Sequence, residues 1–243
     1  MSKKQQALRN ARRAARARQR LITQIAGVAL IIVVIAVIVF SIYSHQKGST
    51  TANPTQVGTQ SALTPGGPTP VLIGTKQYSA APPLSIDISK QYFATVQMAK
   101  GGQFVIQLYP DKAPITVNSF VFLAEQGFFN GLTFHRVLAG FMAQGGDPTG
   151  TGSGGPGYQF VNESNDLNFD KAGVVAMANP GRDTNGSQFF ITFGPVALSE
   201  SDYTIFGQVT SGMDVVNSIT LRDPTQNPSF SGDAIQTITI SEK

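Results

Sequence analysis

Apolar residues are distributed along this chain in three regimes. From Leu21 to Phe40 (LITQIAGVALIIVVIAVIVF) they run almost unbroken and without a charged side chain, a length matching the roughly 20 residues that cross a bilayer as a helix. From Ser44 to about Pro83 they stand isolated among Gly, Ser, Thr, Pro and Gln with no period, as in a flexible stalk. Beyond Ile86 short β-type runs alternate with Gly and Pro punctuation.

In this last regime Tyr92–Met98 and Phe104–Leu108 flank Lys100-Gly101-Gly102 and predict a hairpin. Ala113 to Gln126 predicts a helix, with Pro114 in its first turn, an apolar face of Val117, Phe120, Val121 and Ala124, and Gly127 as its stop. Further strands are predicted at Thr133–Leu138, Val174–Met177, Gln188–Thr192, Thr204–Val209 and Ile235–Ile240, and a second short helix at Met213–Ile219. Many short strands with two helices and no βαβ alternation predict an antiparallel sheet closed on itself, its ends covered by the helices. The expected organisation is a basic tail (1–20), a membrane span (21–43), a stalk (44–82) and one folded domain (83–243).

Charge sharpens this picture. Eight of the eighteen basic residues precede position 21 with no acid among them, so the remainder carries ten basic against fourteen acidic side chains, a net −4. An acidic body argues against a nucleic-acid partner, because phosphate neutralisation needs a basic folded surface. The apolar run is too long for a cleaved signal peptide and leads into Phe40-Ser41-Ile42-Tyr43 without a small-x-small cleavage site, which predicts an uncleaved signal anchor. Basic residues on its N-terminal flank place that flank in the cytoplasm and the domain outside it, in a single-pass cell-membrane protein. The chain has no cysteine, which removes disulfides, thiolate nucleophiles and Cys-based zinc sites.

Two histidines, His45 and His135, are too few for a multi-His metal site. Arg136 is more informative. Strand alternation sets Phe134, Arg136 and Leu138 on one face and His135 and Val137 on the other, so a guanidinium projects from an apolar face. It is readable either as half of a structural ion pair or as a functional donor. Downstream, Met142 and Gln144 share a strand face, and a glycine-dense loop follows from Gly150 to Gly157; lacking a Lys-Ser/Thr pair and a strand-loop-helix setting, it is not a phosphate-binding loop.

Two stretches, FHRVLAGFMAQGGDPTGTGSGGPG (Phe134 to Gly157) and GVVAMANPGRDTNGSQFFITFG (Gly173 to Gly194), resemble the signatures of the cyclophilin family. The resemblance runs from about Pro83 to Ser241, supported by Gly127 to Leu132 and Tyr203 to Gly207. It implies a mainly β fold, a closed eight-stranded antiparallel barrel capped by two α-helices, and peptidyl-prolyl cis/trans isomerase activity on proline-containing polypeptides without a cofactor. By resemblance Arg136 is the catalytic donor. Phe141, Met142 and Phe190 form the proline pocket, Gln144 positions Arg136, and Ala178, Asn179 and Gln188 hold the substrate backbone. Gly181 and Gly186 supply turns.

The chain departs from the family at three places. Leu198 stands where many members have a groove tryptophan, and the chain has no tryptophan at all, which weakens the cyclosporin binding the family implies. Tyr203 replaces a histidine but keeps a ring and a polar tip. Pro180 removes a backbone donor at the groove. The altered rim sustains an alternative reading, a proline-peptide-binding chaperone module without turnover.

Overall fold

The alternation of Tyr92–Met98 is realised residue for residue: Tyr92, Ala94, Val96 and Met98 are buried and the residues between them only half-buried, as a period of two demands. A computed structural model of the chain describes Pro70, residues 72–199 and residues 201–243. In chain order it contains β1 (Leu72–Gly74), β2 (Gln77–Tyr78), β3 (Tyr92–Met98), β4 (Gln103–Leu108), α1 (Pro114–Glu125), β5 (Arg136–Leu138), β6 (Met142–Gly145), β7 (Val174–Met177), β8 (Phe189–Thr192), β9 (Ile205–Ser211), α2 (Met213–Asn217), a 3-10 turn (Pro224–Gln226) and β10 (Ile235–Glu242). Strands β3 to β10 form one antiparallel sheet in the order β10-β3-β4-β9-β7-β8-β6-β5.

The sheet curls strongly but does not close as expected. Its edge strands, β5 and β10, share no ladder. The outer edge of β5 is taken by another segment: Val137 N–H donates to the Arg222 carbonyl (2.7 Å) and Arg222 N–H to the Val137 carbonyl (2.9 Å). Contact across the gap falls to residues ahead of β5, through the Thr133–Ala234 bridge and three backbone bonds: Gly131 N–H to the Ile235 carbonyl (2.8 Å), Ile235 N–H to the Leu132 carbonyl (2.8 Å) and Phe134 N–H to the Asp233 carbonyl (2.9 Å). The same geometry corrects the alternation read through Phe134. The strand starts only at Arg136, so Phe134 turns into the main core against Phe189, centroids 6.1 Å apart, instead of joining Arg136.

Helix α1 covers the open end of the curl. Phe120 packs on Phe129, Phe189 and Phe206 at centroid distances of 5.0, 5.5 and 5.3 Å, geometries that add to plain burial. Burial extends beyond the expected apolar face to Thr116, Asn118 and Ser119; each finds a partner, as buried polar groups must. Asn118 Oδ1 accepts from Ser85 N–H (2.9 Å) and its amide donates to the Pro83 carbonyl (3.0 Å). Ala113, the residue before the helix, has no capping side chain. The carboxylate of Glu163 supplies the cap from a distant loop, accepting from Ile115 N–H, Thr116 N–H (both 2.8 Å) and Thr116 Oγ1 (2.7 Å).

Secondary structure begins ahead of residue 83, inside the segment expected as stalk. β1 and β2 form a small hairpin, and Tyr78 is buried at the edge of the main core. The basic tail, the span expected at 21–43 and the stalk up to 69 lie outside the described residues. Among the described residues no helix is long and apolar enough to cross a membrane.

Candidate active site

Pairing of β5 with β6 sets Arg136 opposite Gln144 and Leu138 opposite Met142, and pairing of β6 with β8 sets Gln144 opposite Phe190. Directly opposed residues share a sheet face, so the guanidinium, the amide, the thioether and the ring project together. The turn between β5 and β6 brings back Phe141, its N–H donating to the Leu138 carbonyl (3.1 Å); its ring centroid lies 5.8 Å from the guanidinium carbon of Arg136. Phe190 is fixed from behind by Phe169, stacked at 5.8 Å and 19°, and from the side by Tyr203, edge-on at 5.7 Å and 87°.

The opposite wall comes from the loops around β8. Ala178 N–H donates to the Gln188 carbonyl (2.9 Å), and the Asn179 amide donates to Asn185 Oδ1 and to the Asp202 carbonyl (both 3.1 Å). Nine of the ten expected site residues, Arg136, Phe141, Met142, Gln144, Ala178, Asn179, Phe190, Leu198 and Tyr203, line one cavity of about 140 Å³. Gln188 lies one step away. Arg136 Nη1 donates to Gln144 Oε1 (3.3 Å), the Gln144 amide donates to Gln188 Oε1 (3.0 Å), and the Gln188 amide donates to the carbonyls of Gly152 (3.0 Å) and Gly154 (2.9 Å). That glycine-rich loop is gathered by Asp147, whose carboxylate accepts from Thr149 N–H, Thr149 Oγ1, Gly152 N–H and Gly154 N–H. Burial pushes the Asp147 carboxyl up, but these donors overcome it and hold it below the usual carboxylate range. Proline at 180 leaves no backbone donor there, yet it lines only a larger neighbouring cavity of about 690 Å³, which meets the smaller one at Ala178.

Of the two readings of Arg136, the structural ion pair is not formed: among the described residues it has no carboxylate within 4.0 Å. Its charge reaches Asp223 only weakly: that carboxyl is lowered chiefly by Thr225 hydrogen bonds, with a smaller contribution from Arg136. The guanidinium is half-buried beside a cavity whose other walls include Phe141, Met142, Phe190 and Leu198, with donors left for a neutral acceptor. Among the described residues no group of three or more His, Cys, Asp or Glu could hold a metal. His135 is buried behind the strand; its backbone carbonyl accepts from Arg222 Nη1. Phe169, buried beneath Phe190, escaped the sequence reading because it sits in a polar loop with no period.

The family model for cyclophilin type peptidyl-prolyl cis-trans isomerases matches residues 93–241. The chain belongs to the cyclophilin family. It is 43% identical over 148 residues to a peptidyl-prolyl cis-trans isomerase of Helicobacter pylori, covering 60% of this chain and 90% of that one. It is 46% identical over 124 residues to peptidyl-prolyl cis-trans isomerase B of Bacillus subtilis, 51% of this chain and 87% of that one. A crystal structure of a Cryptosporidium parvum cyclophilin in the presence of the dipeptide ala-pro aligns with a TM-score of 0.56 at 30% identity, covering 62% of this chain and 99% of that one. The cyclophilin match begins one residue into β3, so the β1–β2 hairpin lies outside it.

Proposed function

We propose that this chain accelerates cis/trans isomerisation of X-Pro bonds in exported proteins, assisting their folding, from a domain tethered outside the cytoplasm by residues 21–43. The observation that carries the reading is the Arg136 guanidinium, without an ion-pair partner among the described residues, held by Gln144 beside a cavity that Phe141, Met142, Phe190 and Leu198 line. Amide resonance sets a rotation barrier of about 18–20 kcal/mol, and a catalyst lowers it by binding the twisted amide better than either planar isomer. Arg136 does this by donating to the proline nitrogen, whose lone pair is exposed as the amide twists, or to the adjoining carbonyl oxygen. Apolar surroundings exclude water and strengthen that bond. Phe141, Met142, Phe190, Leu198 and Tyr203 hold the proline ring, Ala178 and Asn179 hold the flanking backbone, and Gln144, steadied by Gln188, positions Arg136.

The anchor and the orientation rest on the charge-free apolar run and its basic N-terminal flank. The test is refolding of an exported protein whose slow phase is X-Pro isomerisation, with the full chain supplied in detergent micelles. Acceleration of that phase in proportion to added chain is expected. An unchanged slow phase despite binding of proline peptides would replace this reading with the non-catalytic chaperone module.

A further inference from the structure

Part of the wall of the larger cavity is built by a residue ahead of the family match. Gln77 of β2 lines it, together with the glycine-rich loop, Ala178 and Gln188. Its place there is fixed by both neighbours. Lys76 donates its ammonium to the carbonyls of Phe128 (2.5 Å) and Asn130 (2.8 Å). Tyr78 N–H donates to the Pro156 carbonyl (2.7 Å), and its ring meets Phe122 edge-on at 5.1 Å. The approach of hairpin to loop depends on Gly157, at φ +94, where a Cβ would stand 2.5 Å from the Tyr78 carbonyl oxygen. Ordered chain then continues to the Pro82–Ser85 stretch pinned by Asn118.

This cavity meets the smaller one at Ala178, so a peptide with its proline beside Arg136 extends past Ala178 toward Gln77. None of the residues lining the larger cavity is charged; Gln77, Ser153 and Thr184 offer neutral hydrogen bonds. A charged substrate side chain entering it would lose water and gain no counter-charge. We propose that Gln77 is a specificity-determining residue of the substrate groove, selecting a neutral polar side chain near the proline. The assignment rests on the isomerase reading only for the identification of the smaller cavity as the proline site.

The test uses the full chain in detergent micelles, wild type and Gln77→Lys, and measures by NMR titration the affinities of acetylated hexapeptides that differ at one residue. That residue is Gln, Glu or Lys, placed two positions before the proline in one set and two after it in the other. Wild type is expected to bind the Gln peptide tightest in one set and to treat Glu and Lys alike. Gln77→Lys is expected to favour Glu over Lys in that set by roughly two- to fivefold, the range of a partly exposed ion pair. A Glu-to-Lys ratio unchanged by Gln77→Lys in both sets overturns the proposal, as does the absence of any peptide binding. X-Pro exchange is recorded on the same samples. Selectivity that responds to Gln77→Lys without acceleration defeats the isomerase reading and leaves the Gln77 assignment standing; acceleration with an unresponsive ratio does the reverse.

Discussion

Replacing the half-buried Glu163 by alanine should destabilise the domain by about 2–4 kcal/mol. Its carboxylate accepts three hydrogen bonds at the start of α1, and Thr116 is fully buried, so water cannot replace it there. A hydrogen bond to a charged group contributes about 1.5–3 kcal/mol, a helix N-cap about 0.5–2 kcal/mol, and a charge at a helix N-terminus about 0.3–1 kcal/mol. One carboxylate supplies all three, so these are not summed in full. Burial outweighs the three donors and holds its carboxyl above the ordinary range, a desolvation cost that keeps the net loss below the sum of these contributions. Urea unfolding of residues 70–243, with a slope of about 1–3 kcal/mol per molar, should place the Glu163→Ala midpoint about 1–2 M lower. Glu163→Gln, which keeps one acceptor, should lie between variant and wild type. An Ala midpoint within about 0.3 M of wild type would refute the distant-cap assignment.

Three further outcomes follow from the same geometry. Gln144→Leu keeps the cavity lined but removes the side-chain acceptor of Arg136; kcat should fall about five- to tenfold, as expected for one lost hydrogen bond, with KM changed less than twofold, and a purely KM effect would contradict a positioning role. Burial, reinforced by the Arg222 and Arg136 charges and opposed by Asp147, holds His135 below its ordinary pKa. Its stabilisation is therefore present above about pH 6.5 and lost as pH falls, so the urea midpoint should drop between pH 7 and 5, and His135→Gln should flatten that slope. Leu198→Trp adds apolar area to the lining of the smaller cavity and should tighten binding of a short proline-containing peptide about tenfold, read from the fluorescence of a tryptophan the native chain lacks; unchanged affinity would show that residue 198 does not limit it.

The strands with an alternating or continuous apolar run, such as Tyr92–Met98 and Val174–Met177, were legible because local pattern and tertiary burial agree. The Arg136–Gln144 pairing was legible in outline, since both sit on short runs joined by a glycine turn. What failed depended on contacts remote in sequence. Phe134 breaks its strand's alternation because it is claimed by Asp233, and the barrel stays open because Arg222 occupies the edge of β5. Among its described side chains the β1–β2 hairpin has one buried anchor, Tyr78, and it makes backbone bonds to a distant loop, neither of which leaves a period. Gln188 was expected against substrate; its link to Gln144 needs the β6–β8 register, which no single segment encodes.

The measurement that bears most directly on the account is X-Pro exchange in a short Ala-Pro peptide, followed by NMR with wild type and Arg136→Ala side by side. Loss of a donor to the twisted amide should lower the catalysed rate at least about a hundredfold, comparable to removing an oxyanion-hole donor, while peptide affinity changes less than threefold, because the apolar cavity remains. Acceleration retained within a few-fold in the variant would contradict the role of Arg136, and no acceleration by wild type would contradict the isomerase itself.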